Sequence, residues 1–113
     1  MGCVLNTRSQ LQKPKFMTEI TTELKAAVFD RLVAHLAARA DVQNLELMNL
    51  AGFCRNCLAN WLVEAAAGSG KMLDKNSARA EIYGMPYETW KALNQREASP
   101  EQLAKFKAAA HQD

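Results

Sequence analysis

Between Leu45 and Ala67 the chain reads LELMNLAGFCRNCLANWLVEAAA, with apolar side chains at so many positions that little of it can face water. At about 100° per residue, Leu47, Leu50, Ala51, Cys54, Leu58, Trp61, Leu62 and Ala65 share one broad helix face, while Leu45, Met48, Phe53 and Val63 lie on others. A helix apolar nearly all round is usually the buried centre of a bundle. The pattern therefore predicts one continuous helix over 45–67 with the remaining elements around it. The chain has only three prolines and five glycines in 113 residues, so long helices can run uninterrupted.

The flanking segments read as helices too. Thr21 or Thr22 can cap a helix over 21–40, in which Leu24, Val28, Leu32 and Leu36 recur every four residues with Phe29 and Val33 beside them. Asp41 to Asn44 forms a short break. Gly68 or Gly70 can end the central helix in the left-handed conformation. A short helix over 75–83 is capped by Asp74 or Asn76 and stopped by Gly84. Pro86 can sit in the first turn of the next. Ser99, Pro100 and Gln102 form a capping-box start for the last, which carries Leu103 and Phe106 and frays by about His111. No segment alternates as a strand does. The expectation is an all-α, single-domain bundle of four to five helices around a central buried helix, over residues 17–113.

Residues 1–16 show neither helical nor strand periodicity and read as an upstream extension, with Met17 as the expected biological start, or alternatively as a disordered tail. They hold Arg8, Lys13 and Lys15 and no acid. They account for the whole formal charge of +2, because the remainder has 11 basic and 12 acidic residues. The folded part thus has no electrostatic drive toward nucleic acid or an anionic membrane. No apolar run approaches the roughly 20 residues that span a bilayer. Three cysteines make poor arithmetic for a disulfide scaffold, so the chain reads as cytosolic with reduced thiols.

Cys54 and Cys57 have the C-x-x-C spacing, and three readings stay open. The first makes them small core residues, as free cysteine often is. The second is a redox pair, which works best at a helix N-terminus. A continuous helix over 45–67 denies that position, and a break at Gly52 would restore it. The third is metal, with zinc as the possible cofactor. Closed zinc sites take four ligands, and a hairpin of the first two helices sets His35 level with Met48 or Asn49 rather than with Cys54. Zinc would then be shared across a dimer, two cysteines from each chain.

Asn49, Phe53, Asn56 and Asn60 fall 4, 3 and 4 apart and share one helix face. With Arg55, the first three form a candidate partner-binding surface anchored by Phe53. The alternative is a solvated edge. Tyr83, Tyr87 and Trp90 around Pro86 read first as a core staple and second as an aromatic contact surface. GSGK at 68–71 lacks the full phosphate-loop spacing and a preceding strand. No catalytic constellation stands out, so the leading expectation is a non-enzymatic interaction or structural module, either a homodimer or bound to a protein partner.

The blocks MNLAGFCRNCL and YGMPY, within DVQNLELMNLAGFCRNCLANW and YGMPYETWKALNQ, resemble a mostly bacterial family known as domain of unknown function 1244. The resemblance covers roughly residues 20–106. It implies an all-helical domain and places His35, Asp41, Gln43, Asn44, Asn49, Cys54, Arg55, Asn56 and Cys57 within the family's pattern. Asn60 falls where that pattern is loose. The resemblance implies a fold but no activity.

Overall fold

The computed structural model describes residues 17–109; the 1–16 extension and the expected fraying at His111 lie outside the described residues. Among the described residues six α-helices run in order: α1 Thr22–Ala38, α2 Asn44–Ala51, α3 Arg55–Gly68, α4 Lys75–Tyr83, α5 Tyr87–Asn94 and α6 Pro100–Ala108. No strand occurs among the described residues. The all-α expectation holds.

Capping chemistry sets most boundaries. Thr21 accepts from the Leu24 amide at the start of α1, and Asp74 accepts from the Ser77 amide at the start of α4. Ser99 and Gln102 close the predicted capping box on α6, with Pro100 in its first turn. Gln43 and Glu46 form a second box at the start of α2. At the end of α3, Gly70 takes φ 76°, and the Lys71 and Gly70 amides return to the carbonyls of Ala66 and Ala67. Those bonds satisfy acceptors that a helix end otherwise leaves open.

The continuous helix expected over 45–67 is corrected at Gly52. There the backbone takes φ 81°, which ends α2 and donates the cap amide to Met48. Phe53 and Cys54 follow in non-helical backbone, and α3 starts at Arg55. The apolar face drawn across the whole segment does not exist as one surface. Leu50 is 86% exposed and Trp61 is 52% exposed.

The core lies instead where α3 meets α4. Ala59 and Ala78 are buried at this contact, and two such small side chains allow close approach of helices. Leu36, Leu58, Ile82, Tyr83 and Trp90 complete the buried cluster, with Phe29, Leu32 and Val33 of α1 packed against it. The predicted α1 stripe is therefore corrected as well. Its C-terminal half packs inward, but every residue from Thr22 to Val28 is exposed, including Leu24 and Val28.

Candidate functional site: the helix junction around Arg55

The two breaks, at Arg39–Gln43 and at Gly52–Cys54, bring the end of α1, the start of α2 and the start of α3 together. Arg55 fills the junction. It is 1% exposed, the most buried charged residue among those described. Its guanidinium donates to the carbonyls of Val42 at 2.8 Å, Arg39 at 2.8 Å and Leu36 at 3.3 Å, and to Asn44 Oδ1 at 3.0 Å. Leu36 and Arg39 supply carbonyls from the end of α1, where unpaired carbonyls collect partial negative charge. A buried cation is thus held by helix-end carbonyls, and no carboxylate among the described residues accepts a hydrogen bond from it. Trp90 lies beneath, 5.0 Å from the guanidinium carbon to the ring centroid. Burial pulls the Arg55 pKa below its usual value, opposed by the charges of Tyr83, Cys54 and Asp41.

A chain of side-chain hydrogen bonds extends from this cation. Asn44 accepts from Arg55 and donates through Nδ2 to the Tyr83 hydroxyl at 2.9 Å. That hydroxyl donates to Asn56 Oδ1 at 2.8 Å. Burial pushes the Tyr83 phenol well above its ordinary value, more than the Asn44 hydrogen bond lowers it. Gln43 clips the far side, donating to the Asn94 carbonyl and accepting from the Arg96 amide, both at 2.8 Å. A cavity of about 300 Å³ borders the network, lined in part by Gln43, Asn44, Asn56, Tyr87, Trp90 and Arg96. It is at the small end of the range for small-molecule clefts, and the Gln43 and Asn44 amides on its wall already bond within the chain.

The Gly52 break also moves the cysteines. Cys54 becomes the N-cap of α3 and Cys57 lies three residues on, in its first turn. Both thiols are free; Cys54 is buried and Cys57 half-buried. The helix-terminal position that the redox reading needs is therefore restored. Burial opposes it. Desolvation raises the Cys54 pKa more than the Cys57 and Asn56 amides lower it, and the neighbouring Cys57 raises it further. Cys54 is held protonated rather than activated. His35, the other residue weighed as a ligand, is exposed. Among the described residues no three His, Cys, Asp or Glu side chains converge in a metal-binding group.

The expected asparagine surface comes apart at the same break. Arg55 is interior and offers no contact area, which corrects its place in that surface. Asn56 belongs to the Tyr83 chain. Asn49 donates to the Gln102 carbonyl of α6 at 3.0 Å, and its Oδ1 is buried without a partner. Phe53 stacks at 6.2 Å between centroids on Trp61, and Asn60 is exposed on α3. These residues do not form one face. Tyr83 and Trp90 are core residues, as their first reading had it, with ring centroids 4.9 Å apart. Sequence reasoning did not find the part that Asn44 and Tyr83 play. The available signal was the polar break at 41–44 and the glycine at 52, which place helix ends on either side of Arg55.

A second feature lies away from the junction. Leu24 and Val28 (69% exposed) form an apolar row along the N-terminal half of α1, and Ile20 (77% exposed) lies just before its cap. No helix of the described residues is long and apolar enough to cross a membrane.

Comparison with known families gives one match. The family described as "Protein of unknown function (DUF1244)" matches residues 42–108, and the chain belongs to it. The match spans α2 to α6 and the whole Arg55 network except its α1 carbonyls; it begins later than the expected residue 20. No curated protein matches the chain.

Proposed function

We propose, starting from membership of a family whose description assigns no role, that this chain is a non-enzymatic interaction module that works as a homodimer in a reducing, cytosolic compartment. Residues 17–113 act as one domain. The observation that carries the reading is the exposed apolar pair Leu24 and Val28 on a helix whose first two turns are exposed throughout, with exposed Ile20 just before its cap. Leucine and valine at i, i+4 spacing on a protruding helix hold little helical structure alone, because an isolated stretch this short is marginal in water. A partner helix supplies the missing apolar surface.

A second copy can supply it. Two α1 helices paired antiparallel about a two-fold axis that passes beside Val28 set Val28 against its own counterpart.

Light scattering coupled to size exclusion tests the reading. The wild-type chain is expected to run as a dimer, and Leu24→Glu with Val28→Glu as a folded monomer with unchanged helical circular dichroism. A wild-type monomer at tens of micromolar overturns it, as does a dimer that survives the double substitution.

A further inference from the structure

We propose that Cys54, Cys57 and Met48 form a binding site for a single copper(I) ion. The site is independent of the α1 interface. It exists because α2 stops at Gly52, which folds the last turn of α2 against the first turn of α3. Met48 Sδ then lies 3.9 Å from Cys57 Sγ, with the Cys57 thiol donating to it. Cys54 is the N-cap of α3 and Cys57 its third residue, so both side chains stand at the same helix end. Three sulfurs from three positions thus gather at one end of α3.

The ligand set selects the metal. Thiolate and thioether are soft donors that suit copper(I), whereas a closed zinc site takes four ligands from Cys, His or carboxylate. The described residues hold no third donor of those types here. The spacing agrees. Three sulfurs around a trigonal ion, at metal–sulfur bonds of about 2.3 Å, stand roughly 4 Å apart. The Cys57–Met48 separation already has that length, so those two ligands need no backbone movement.

The surroundings favour the charge of the product. Binding replaces two S–H protons with one monovalent cation and releases both protons, leaving a copper dithiolate of net charge −1. That charge sits at the N-terminus of a 14-residue helix, where the macrodipole and unpaired amides stabilise an anion. Cys57 and Met48 are half-buried with Cys54 behind them, so an ion can enter from one side and then be shielded from water.

The test uses the full chain, fully reduced and without oxygen, titrated with copper(I) held by the chromogenic chelator bicinchoninate. The expected result is withdrawal of one copper per chain, with X-ray absorption reporting three sulfur neighbours. Met48→Leu keeps the fold by circular dichroism. It should bind about tenfold more weakly or worse, the scale on which loss of one supporting group acts at a metal, and report two sulfurs. Cys57→Ser should no longer compete with the chelator. The proposal is overturned if the reduced wild-type chain takes no copper, or if Met48→Leu matches it in affinity and sulfur count. One copper per two chains with four sulfurs, or preferential uptake of zinc at one equivalent per chain, overturns it as well.

Discussion

The junction around Arg55 and the N-terminal half of α1 treat their side chains in opposite ways. At the junction a full charge is buried, and each of its neighbours answers it: three carbonyls, an asparagine and an aromatic face. On α1 the apolar row is exposed, and no described residue covers it. The first region is complete within one copy of the chain. The second, under the function proposed above, is completed by a partner. Helical periodicity alone does not separate the exposed half of α1 from the half that reaches the junction, because Leu24 and Val28 continue the spacing of Leu32 and Leu36. The difference lies in which helix ends are brought together.

The largest effect is expected at the junction. Arg55→Ala leaves the Val42 carbonyl without its donor, while the Leu36 and Arg39 carbonyls and Asn44 Oδ1 lose one of two donors and keep the Arg39, Val42 and Arg55 amides. One unmet buried acceptor costs about 1–3 kcal/mol, and the emptied space over Trp90 adds to it, so a loss of about 3 kcal/mol is expected. Arg55→Lys keeps the charge but not the planar fork that reaches several acceptors at once. It should lose about 2 kcal/mol by chemical denaturation. If Arg55→Ala costs under 1 kcal/mol, the contrast between the two regions fails at its stronger end.

Next comes the break that builds the junction. Gly52→Ala meets open space, with nothing within 4 Å of an added Cβ, so only the backbone resists. A non-glycine residue at φ 81° should cost about 1–2 kcal/mol, and Gly84→Ala at φ 76° should cost the same. The two differ in what lies beside them. Gly52→Ala should also disturb the Met48–Cys57 contact, read as faster thiol alkylation at Cys57, whereas Gly84→Ala should leave that rate alone.

Tyr83 gives a pH test of similar size. Its folded pKa is raised above the ordinary value of 10.0. Above pH 10 the unfolded chain loses the proton that the folded chain keeps, so stability falls as pH rises, by up to about 1.4 kcal/mol per pH unit. Below pH 10 the contribution is fully present. Tyr83→Phe should cost about 1–2 kcal/mol at neutral pH, by orphaning Asn44 and Asn56, and should flatten the alkaline slope. Cys54, also raised by burial from 9.0, adds to that slope, so Cys54→Ala is the second arm of the measurement.

Much of the fold was legible in the sequence because caps are local. Thr21, Asp74, Gly84 and the Ser99–Gln102 box need only their own neighbours, and all stand where the residue types predict. The Gly52 break was legible only as an alternative. One glycine in an apolar run is tolerated in a helix at a modest cost, and nothing within the run says that a buried arginine three residues later needs carbonyls from α1. That requirement is tertiary. The same holds for Leu24 and Val28: their spacing specifies a helix face, but whether the face meets this chain or another depends on where α4 ends up. At the candidate site, the C-x-x-C spacing was legible and Met48 was not, because its sulfur reaches Cys57 only across the turn that the sequence reading had straightened.

The smallest stability effect belongs to α1, and it is the sharpest test of the contrast. Val28→Ser removes an apolar side chain already 69% exposed, so in a dilute monomer it should change stability by less than about 0.5 kcal/mol, as exposed substitutions usually do. Amide exchange should nonetheless respond. In the wild-type chain, protection of the amides between Lys25 and Asp30 should rise with protein concentration, since pairing orders turns that a single copy leaves frayed. In Val28→Ser that rise should vanish while protection at Leu58 and Ile82 stays fixed, because the α3–α4 core is closed within one chain. Concentration-independent protection of the α1 amides in the wild type would mean that the exposed half of the helix holds by itself, and the apolar row would then lose its claim to a partner.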